Sequence, residues 1–304
     1  MSMPITTGSL AKLLYPGVNK FFQTKYNDHD TKWTEMFEQY KTNRNFVEDV
    51  AITNFGLMSQ KSELAPIVYD SFGQSFTTRY TMIVYALGFM ISKELVEDDL
   101  YGEVAQKKAS ALARSARHTQ EIIASNIYNR AFTSGYTGGD GSILCVSNHP
   151  NKNGGTYSNV LSTAANISEA ALEQACIDIR KYVDDRGLRI NVMPQSLHIP
   201  VDLEFEVDRI LNSPLRVGTA NNDKNSLKSF SKFPKGVKVN PFLTSTTAWF
   251  IRTDVQDGMK FFERRPMSFD TDNDFETETA KFKCTHRYAY GWSDPKALYG
   301  TPGV

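Results

Sequence analysis

Cys145 and His149 stand four residues apart in a glycine-rich stretch, and they form the most suggestive reactive pair in this sequence. A thiolate beside an imidazole would make a nucleophile with its base, and a Cys/His pair at this spacing is half of a tetrahedral zinc site. The other half is missing, because no second Cys/His pair is spaced to complete the ligand set. Cys176 falls on what reads as the apolar stripe of a helix and Cys284 in a strand, where core packing is the ordinary role. Gly138, Gly139, Asp140, Gly141 and Ser142 form neither a P-loop nor a dinucleotide fingerprint: no Gly-Lys-Ser/Thr follows, and no strand leads in. Asp270, Asp272 and Asp274 alternate like the start of a calcium loop but lack the glycine and terminal glutamate at the required offsets, so they predict a hairpin tip. Asn166, Ile167 and Ser168 spell a glycosylation sequon, yet nothing upstream resembles a secretion signal, and Ser168 reads as a helix cap. No catalytic, cofactor-binding or metal-ligating residue is expected, and the chain reads as a non-enzyme.

Composition narrows the classes further. Thirty-four basic residues balance thirty-four acidic ones, so net charge gives no pull toward nucleic acid or a membrane surface. No apolar run reaches the roughly 18 residues of a membrane-spanning helix, and the first residues lack the charged-then-apolar build of a signal peptide. The three cysteines are odd in number and far apart, which suits free thiols in a reducing compartment. At 304 residues, one large or two interleaved domains are expected.

The elements that would have to position any chemistry are long. Residues 76–92 read as one strand. In its first half Phe76, Tyr80, Met82 and Val84 alternate with Thr77, Arg79 and Thr81, the period of a ribbon with one wet face. From Ile83 the second face turns apolar as well (Ile83, Tyr85, Leu87, Phe89, Ile91), predicting entry into a core. Residues 63–69 make a partner strand, with turn chemistry at 70–74 and Pro66 at an edge or bulge. Residues 58–84 are thus expected to be a hairpin standing out from the body. An isolated two-stranded ribbon is marginal in water, so contacts with another subunit are expected to hold it. An acidic joint (Glu97, Asp98, Asp99) leads into a helix over 102–134 without internal glycine or proline. Ala105, Ala109, Leu112, Ala116, Ile123 and Ile127 make its apolar stripe, and Lys107, Lys108, Arg114, Arg117 and Glu121 its solvated side.

Residues 1–45 are polar and charge-mixed with scattered aromatics (Phe21, Phe22, Trp33, Phe37). Such a segment buries little of itself, and a neighbouring subunit is the expected source of its order. Residues 134–167 predict a long surface loop. A helix starts after Ser168 and runs to about Asp185 with Leu172, Ala175, Cys176, Ile179 and Val183 facing in, and Gly187 placed as its C-terminal cap. Residues 197–200 predict a short buried strand. A third helix follows on Leu203, Val207, Ile210 and Leu211, then a polar loop over 214–230 and a strand-rich region over 237–292. The class is α+β.

This order of parts resembles the major capsid proteins of tailed phages with the HK97-type fold. The likeness rests on element order and two local motifs, residues 91–99 and 140–150 (Asp140, Gly141, Asn148, His149, Pro150), and on a closing stretch with Tyr288, Tyr290, Trp292 and Pro295. Within that family the chain is most similar to the major head subunit of Mu-like phages and prophages. The resemblance implies an N-terminal arm (1–50), an extended hairpin or E-loop with its base (51–90), and a P domain with the long helix as spine (91–134). It further implies an A domain (135–245) and P-domain strands that return to the A domain (246–304). It implies a virion protein made in the bacterial cytoplasm, which assembles with itself as hexamers and pentamers of an icosahedral lattice around double-stranded DNA contacted non-specifically. A portal, a separate scaffolding protein and a decoration protein would be partners, with no membrane involved. An encapsulin-like shell enclosing cargo enzymes is the alternative within the fold, and a loop-rich hydrolase using Cys145 and His149 the alternative outside it.

Two departures from the family pattern matter. Many relatives carry an N-terminal scaffolding segment, which this sequence does not show; a separate scaffold or a processed chain is then expected. Some relatives weld their shells through an isopeptide bond between a hairpin lysine and an asparagine, with a buried glutamate as base. Lys61 could stand in the hairpin, but residues 275–284 contain no asparagine and residues 285–288 no carboxylate. A shell held without covalent cross-links is expected.

Overall fold

The computed structural model describes residues 7–98, 103–215, 224–274, 276–277 and 279–304. Predicted features at Asp99, Gly102, Phe275, Glu278 and residues 216–223 lie outside the described residues. In chain order come helices α1 (Thr7–Asp28) and α2 (Trp33–Met36), strands β1 (Glu38–Lys41), β2 (Phe46–Ile52), β3 (Gln74–Thr81) and β4 (Ile83–Ile91), and helices α3 (Lys93–Asp98) and α4 (Glu103–Asn129). Short strands β5 (His149–Pro150) and β6 (Thr156–Tyr157) precede α5 (Glu169–Arg180), β7 (Pro194–Ile199), α6 (Glu204–Asn212), α7 (Ser226–Ser229) and β8 (Val237–Val239). Strands β9 (Trp249–Thr253), β10 (Met259–Asp274), β11 (Thr279–Trp292) and β12 (Leu298–Thr301) close the chain.

Two four-stranded sheets carry the architecture, one ordered β1-β10-β11-β4 and the other β12-β9-β7-β8. The second sheet packs against α5 and α6 through Leu172, Ile179, Leu197, Val207, Trp249 and Tyr299. Ser168 caps α5 as expected, accepting from the Ala171 amide. The helix ends at Arg180, short of the predicted Asp185, and Gly187 serves the following turn at φ 77°.

Helix α4 has 27 residues, about 40 Å at 1.5 Å per residue, and its length has a use. Its first half packs Ala109, Leu112 and Ala113 against α1 and the far ends of β10 and β11 (Phe22, Phe269, Phe282). Its second half packs Ala124 and Tyr128 against Trp33, Phe37, Phe250 and Phe261. Between the two clusters the predicted solvated side is wrong at two positions. Glu121 is buried and its carboxylate accepts from the amides of Lys32 (2.9 Å) and Trp33 (3.1 Å), so it holds the start of α2. Burial raises its pKa, a cost these two amides partly offset. Arg117 donates to the Tyr26 carbonyl at 2.8 Å and lies 3.6 Å over that ring.

From Val18 onward the arm therefore orders on its own chain, contrary to the expectation that a neighbour supplies its order. Val18, Phe22, Tyr26, Trp33, Met36 and Phe37 are buried, and β1 adds in parallel to β10. Phe22 and Tyr26 pack from α1 on a mostly alanine face of α4, Trp33 and Phe37 pack against Tyr128 and Phe261, and Phe21 stays exposed.

The predicted strand over 76–92 is broken at Met82. Up to Thr81 it pairs with β2 (Phe46↔Thr81), and from Ile83 with β11 (Ile83↔Tyr288). Buried Met82 donates its amide to the Asn45 carbonyl at 3.1 Å, and Arg287 donates to the Met82 carbonyl at 3.3 Å. The hairpin's partner strand is β2, not residues 63–69, which form no strand. The apolar second half enters a core only in part: Ile91 is buried and Phe89 and Tyr85 pack against core clusters, but β4 is an edge strand with Ile83, Val84, Leu87 and Met90 exposed.

The stretch over 134–167 is only partly a surface loop. Leu144, Cys145, His149 and Asn159 are buried. The Asn159 side chain donates to the carbonyls of Leu144 (2.7 Å), Pro295 (3.2 Å) and Leu298 (3.0 Å) and accepts from the Val146 amide (2.9 Å). One amide thus ties this stretch to the C-terminal segment.

Candidate assembly surface

The predicted reactive pair does not form a reactive site. Cys145 is buried among apolar side chains, which pushes its thiol pKa well up and makes a poor nucleophile. Both His149 nitrogens are engaged, Nδ1 with Asp140 Oδ2 at 2.7 Å and Nε2 with the Leu144 carbonyl at 3.3 Å. The motif over 140–150 is thus an internal brace. Cys176 and Cys284 are buried, their thiols also pushed up by desolvation. Among the described residues, no group of three or more His, Cys, Asp or Glu side chains is placed to hold a metal, and no helix is long and apolar enough to cross a membrane. A cavity of about 440 Å³ at the hairpin root is lined by Arg79, Tyr85, Asn126, Arg130, Tyr288 and Trp292, and no carboxylate, histidine or cysteine lines it.

What the chain does present is a hairpin built to be covered. Strands β2 and β3 carry it out from the body, and Thr53 closes them, its amide donating to the Gly73 carbonyl at 3.0 Å. Beyond that rung, Leu57 is 82% exposed, Met58 and Leu64 98%, and Tyr69 91%. Ile67, Val68 and Phe72 are exposed as well. Contiguous exposed apolar side chains at this density mark an interaction surface. The sequence pointed to a protruding hairpin but missed that its tip is apolar and strand-free.

The root is polar and centres on buried Lys260, Arg252 and Tyr80. Lys260 on β10 reaches Asp49 on β2 at 2.6 Å and Asp257 at 3.3 Å. Tyr40 donates to Asp257 at 2.6 Å, and Glu38 pairs with Arg252 at 3.0 Å. Ser293 donates to Asp49 and lies 2.7 Å from the Tyr80 hydroxyl. The arm, the hairpin and β10 are therefore fastened at one network, which sets the direction in which the hairpin leaves. Gly139 abuts the same root: a Cβ there would sit 2.7 Å from the Thr77 carbonyl oxygen, so the glycine permits the close approach. No sequence signal marks this network, because its members come from five separate segments.

The terminal strands bear on cross-linking. The predicted absence of a carboxylate near residues 285–288 needs correction: Glu263 on β10 faces that stretch, with Oε1 3.0 Å from His286 Nε2. The hydrogen bond from His286 lowers its pKa, which weakens it as a base.

The family model described as "Phage capsid protein" matches residues 75–300. No curated protein matches the sequence. Among solved structures, the chain is similar to the virus-like particle from Pyrococcus furiosus, with TM-score 0.55 and 9% identity over 93% of this chain and 97% of that one. It is also similar to a Microbacterium phage Oxtober96 chain (TM-score 0.52, 10% identity, 91% and 92% covered) and to one from Mycobacterium phage Patience (TM-score 0.54, 9% identity, 96% and 87%). At such identities the likeness speaks for the fold, and the fold is the HK97-type one the sequence resembled. With the family match covering three strands of the first sheet, nearly all of the second, α4 and most of the hairpin strand β3, the chain belongs to the phage capsid protein family.

Proposed function

We propose that this chain is the major head subunit of a tailed phage and assembles through its hairpin into an icosahedral shell around double-stranded DNA. The observation that carries the reading is the hairpin tip, where Leu57, Met58, Leu64 and Tyr69 lie almost wholly in solvent beside exposed Phe55, Ile67, Val68 and Phe72. A subunit with such a tip is complete only against another copy. On this reading residues 1–50 are the arm, 51–90 the hairpin and its base, 91–134 and 246–304 the P domain and its returning strands, and 135–245 the A domain. The work is structural and no reaction is catalysed.

Hexamers and pentamers of the chain would form the lattice, in a virion assembled in the host cytoplasm, with portal, scaffolding and decoration proteins as partners. The Mu-like placement rests on the motifs at 91–99 and 140–150. A cargo-enclosing shell is the second reading, favoured by the likeness to the Pyrococcus furiosus particle over nearly the full length of both chains. Negative-stain microscopy of the purified protein should show closed shells of uniform size, and particles from phage-producing cells should absorb at 260 nm as nucleic acid does. Protein that stays monomeric at high concentration would refute the assembly reading, and shells that enclose an enzyme would favour the second.

A further inference from the structure

The hairpin tip is tied to its own chain at a second place, far from the root. Asp70 Oδ2 accepts from the Gly56 amide at 2.8 Å and Oδ1 from its neighbour Ser71 at 2.8 Å, so this carboxylate closes the base of the tip. Arg186 Nη2 reaches across from the body, donating to Asp70 Oδ1 at 3.2 Å and to the Ser71 carbonyl at 2.9 Å. Among the described residues, these two bonds are the hydrogen bonds that join 53–73 to anything outside the hairpin.

Arg186 is presented by a rigid turn. Buried Asp184 accepts from the amides of Arg186 (2.8 Å) and Leu188 (2.9 Å), and Gly187 takes the left-handed conformation the turn needs. Around the contact the two parts stand apart, with an open cavity of about 710 Å³ lined by Thr53, Phe72, Gln74, Lys152, Asn153 and Arg186. The hairpin therefore bridges a solvent gap by one guanidinium. Both partners are partly exposed, and such pairs are weak and screened by salt. That strength suits a contact made to be broken.

We propose that the Asp70–Arg186 pair is a releasable latch: it tethers the base of the apolar tip to its own chain until a neighbouring copy takes the tip. The inference rests on the assembly role of the hairpin. It adds that the free subunit is restrained before it assembles, so that weakening the latch hastens assembly where a lost lattice contact would slow it.

Amide exchange of the tip in dilute, unassembled full-length subunits tests the latch, and the lag before light scattering rises on concentration tests its consequence. Arg186→Ala should raise exchange of the Gly56 and Ser71 amides, both held by Asp70, by about two- to fivefold, the range for an exposed ion pair. Exchange in α5 and β9 should not change, and the lag should shorten. Arg186→Lys should fall between the variant and the wild type. Raising salt to 0.5 M should loosen the wild-type tip, because charges are screened within about 4–5 Å there, and should do little to Arg186→Ala. Equal tip exchange in Arg186→Ala and wild type at low salt would overturn the latch, as would a longer lag. Wild-type protein that never scatters would instead refute the assembly role, while the exchange data would still report on the contact.

Discussion

Four side chains at the hairpin tip offer a way to separate folding from assembly. Leu57, Met58, Leu64 and Tyr69 are between 82% and 98% exposed, so replacing all four by serine removes almost nothing from the subunit's own packing. Exposed substitutions of this kind change stability by about 0.5 kcal/mol or less each. In a shell the same side chains would be covered, and burying each contributes about 1.5–3 kcal/mol, about 6–12 kcal/mol for the four as an upper bound. Losing only about 2 kcal/mol of that raises the concentration required for assembly about thirtyfold, at 1.4 kcal/mol per decade. The expected outcome is a soluble variant with the wild-type melting temperature that runs as free subunits on a sucrose gradient where the wild type runs as particles. Full-size particles at wild-type concentration would refute the reasoning. A fall in Tm of more than about 6 °C, roughly the 2 kcal/mol that four such exposed substitutions could cost together, would show that the tip packs on its own chain.

Ala113 is fully buried within α4, and Ala113→Pro should cost about 3 kcal/mol or more and abolish soluble expression or particle formation, read by gradient sedimentation; normal particles would contradict a continuous α4. Asn159→Ala orphans the Val146 amide and two or three carbonyls, so thermal unfolding should show a loss of about 2–4 kcal/mol, and a loss below about 1 would mean water replaces the side chain. His198 is buried beside Arg252 and Lys238, and desolvation first, then those charges, lowers its pKa from 6.5 to about 3. The unfolded chain therefore takes up the proton first as pH falls, so stability should decline from pH 6.5 toward 3 by at most about 1.4 kcal/mol per pH unit, and His198→Gln should flatten that decline. Particles boiled in denaturant should run as one band near 34.2 kDa, and a ladder that survives reducing agent would show that a cross-linking lysine and its acceptor exist after all.

Local pattern was enough for part of this molecule. The 3.6-residue stripes of α4, α5 and α6 were legible because helix faces repeat within one segment, and Ser168 marked its cap because capping is a contact three residues long. The order of elements carried the family resemblance for the same reason: order is a property of the chain. Pairing and burial were not legible, since they depend on what lies across space. The alternation at residues 76–81 was real, but a strand pattern does not name its partner, and β2 rather than 63–69 supplied the ladder. The apolar run at 83–91 predicted a core because apolar residues usually find one; only the sheet order shows β4 at an edge, where Ile91 is buried but Ile83, Leu87 and Met90 stay in solvent. Polar positions went furthest astray. Glu121 and Asn159 read as surface residues because desolvation is costly, and only the tertiary structure supplied the amides and carbonyls that make their burial tolerable.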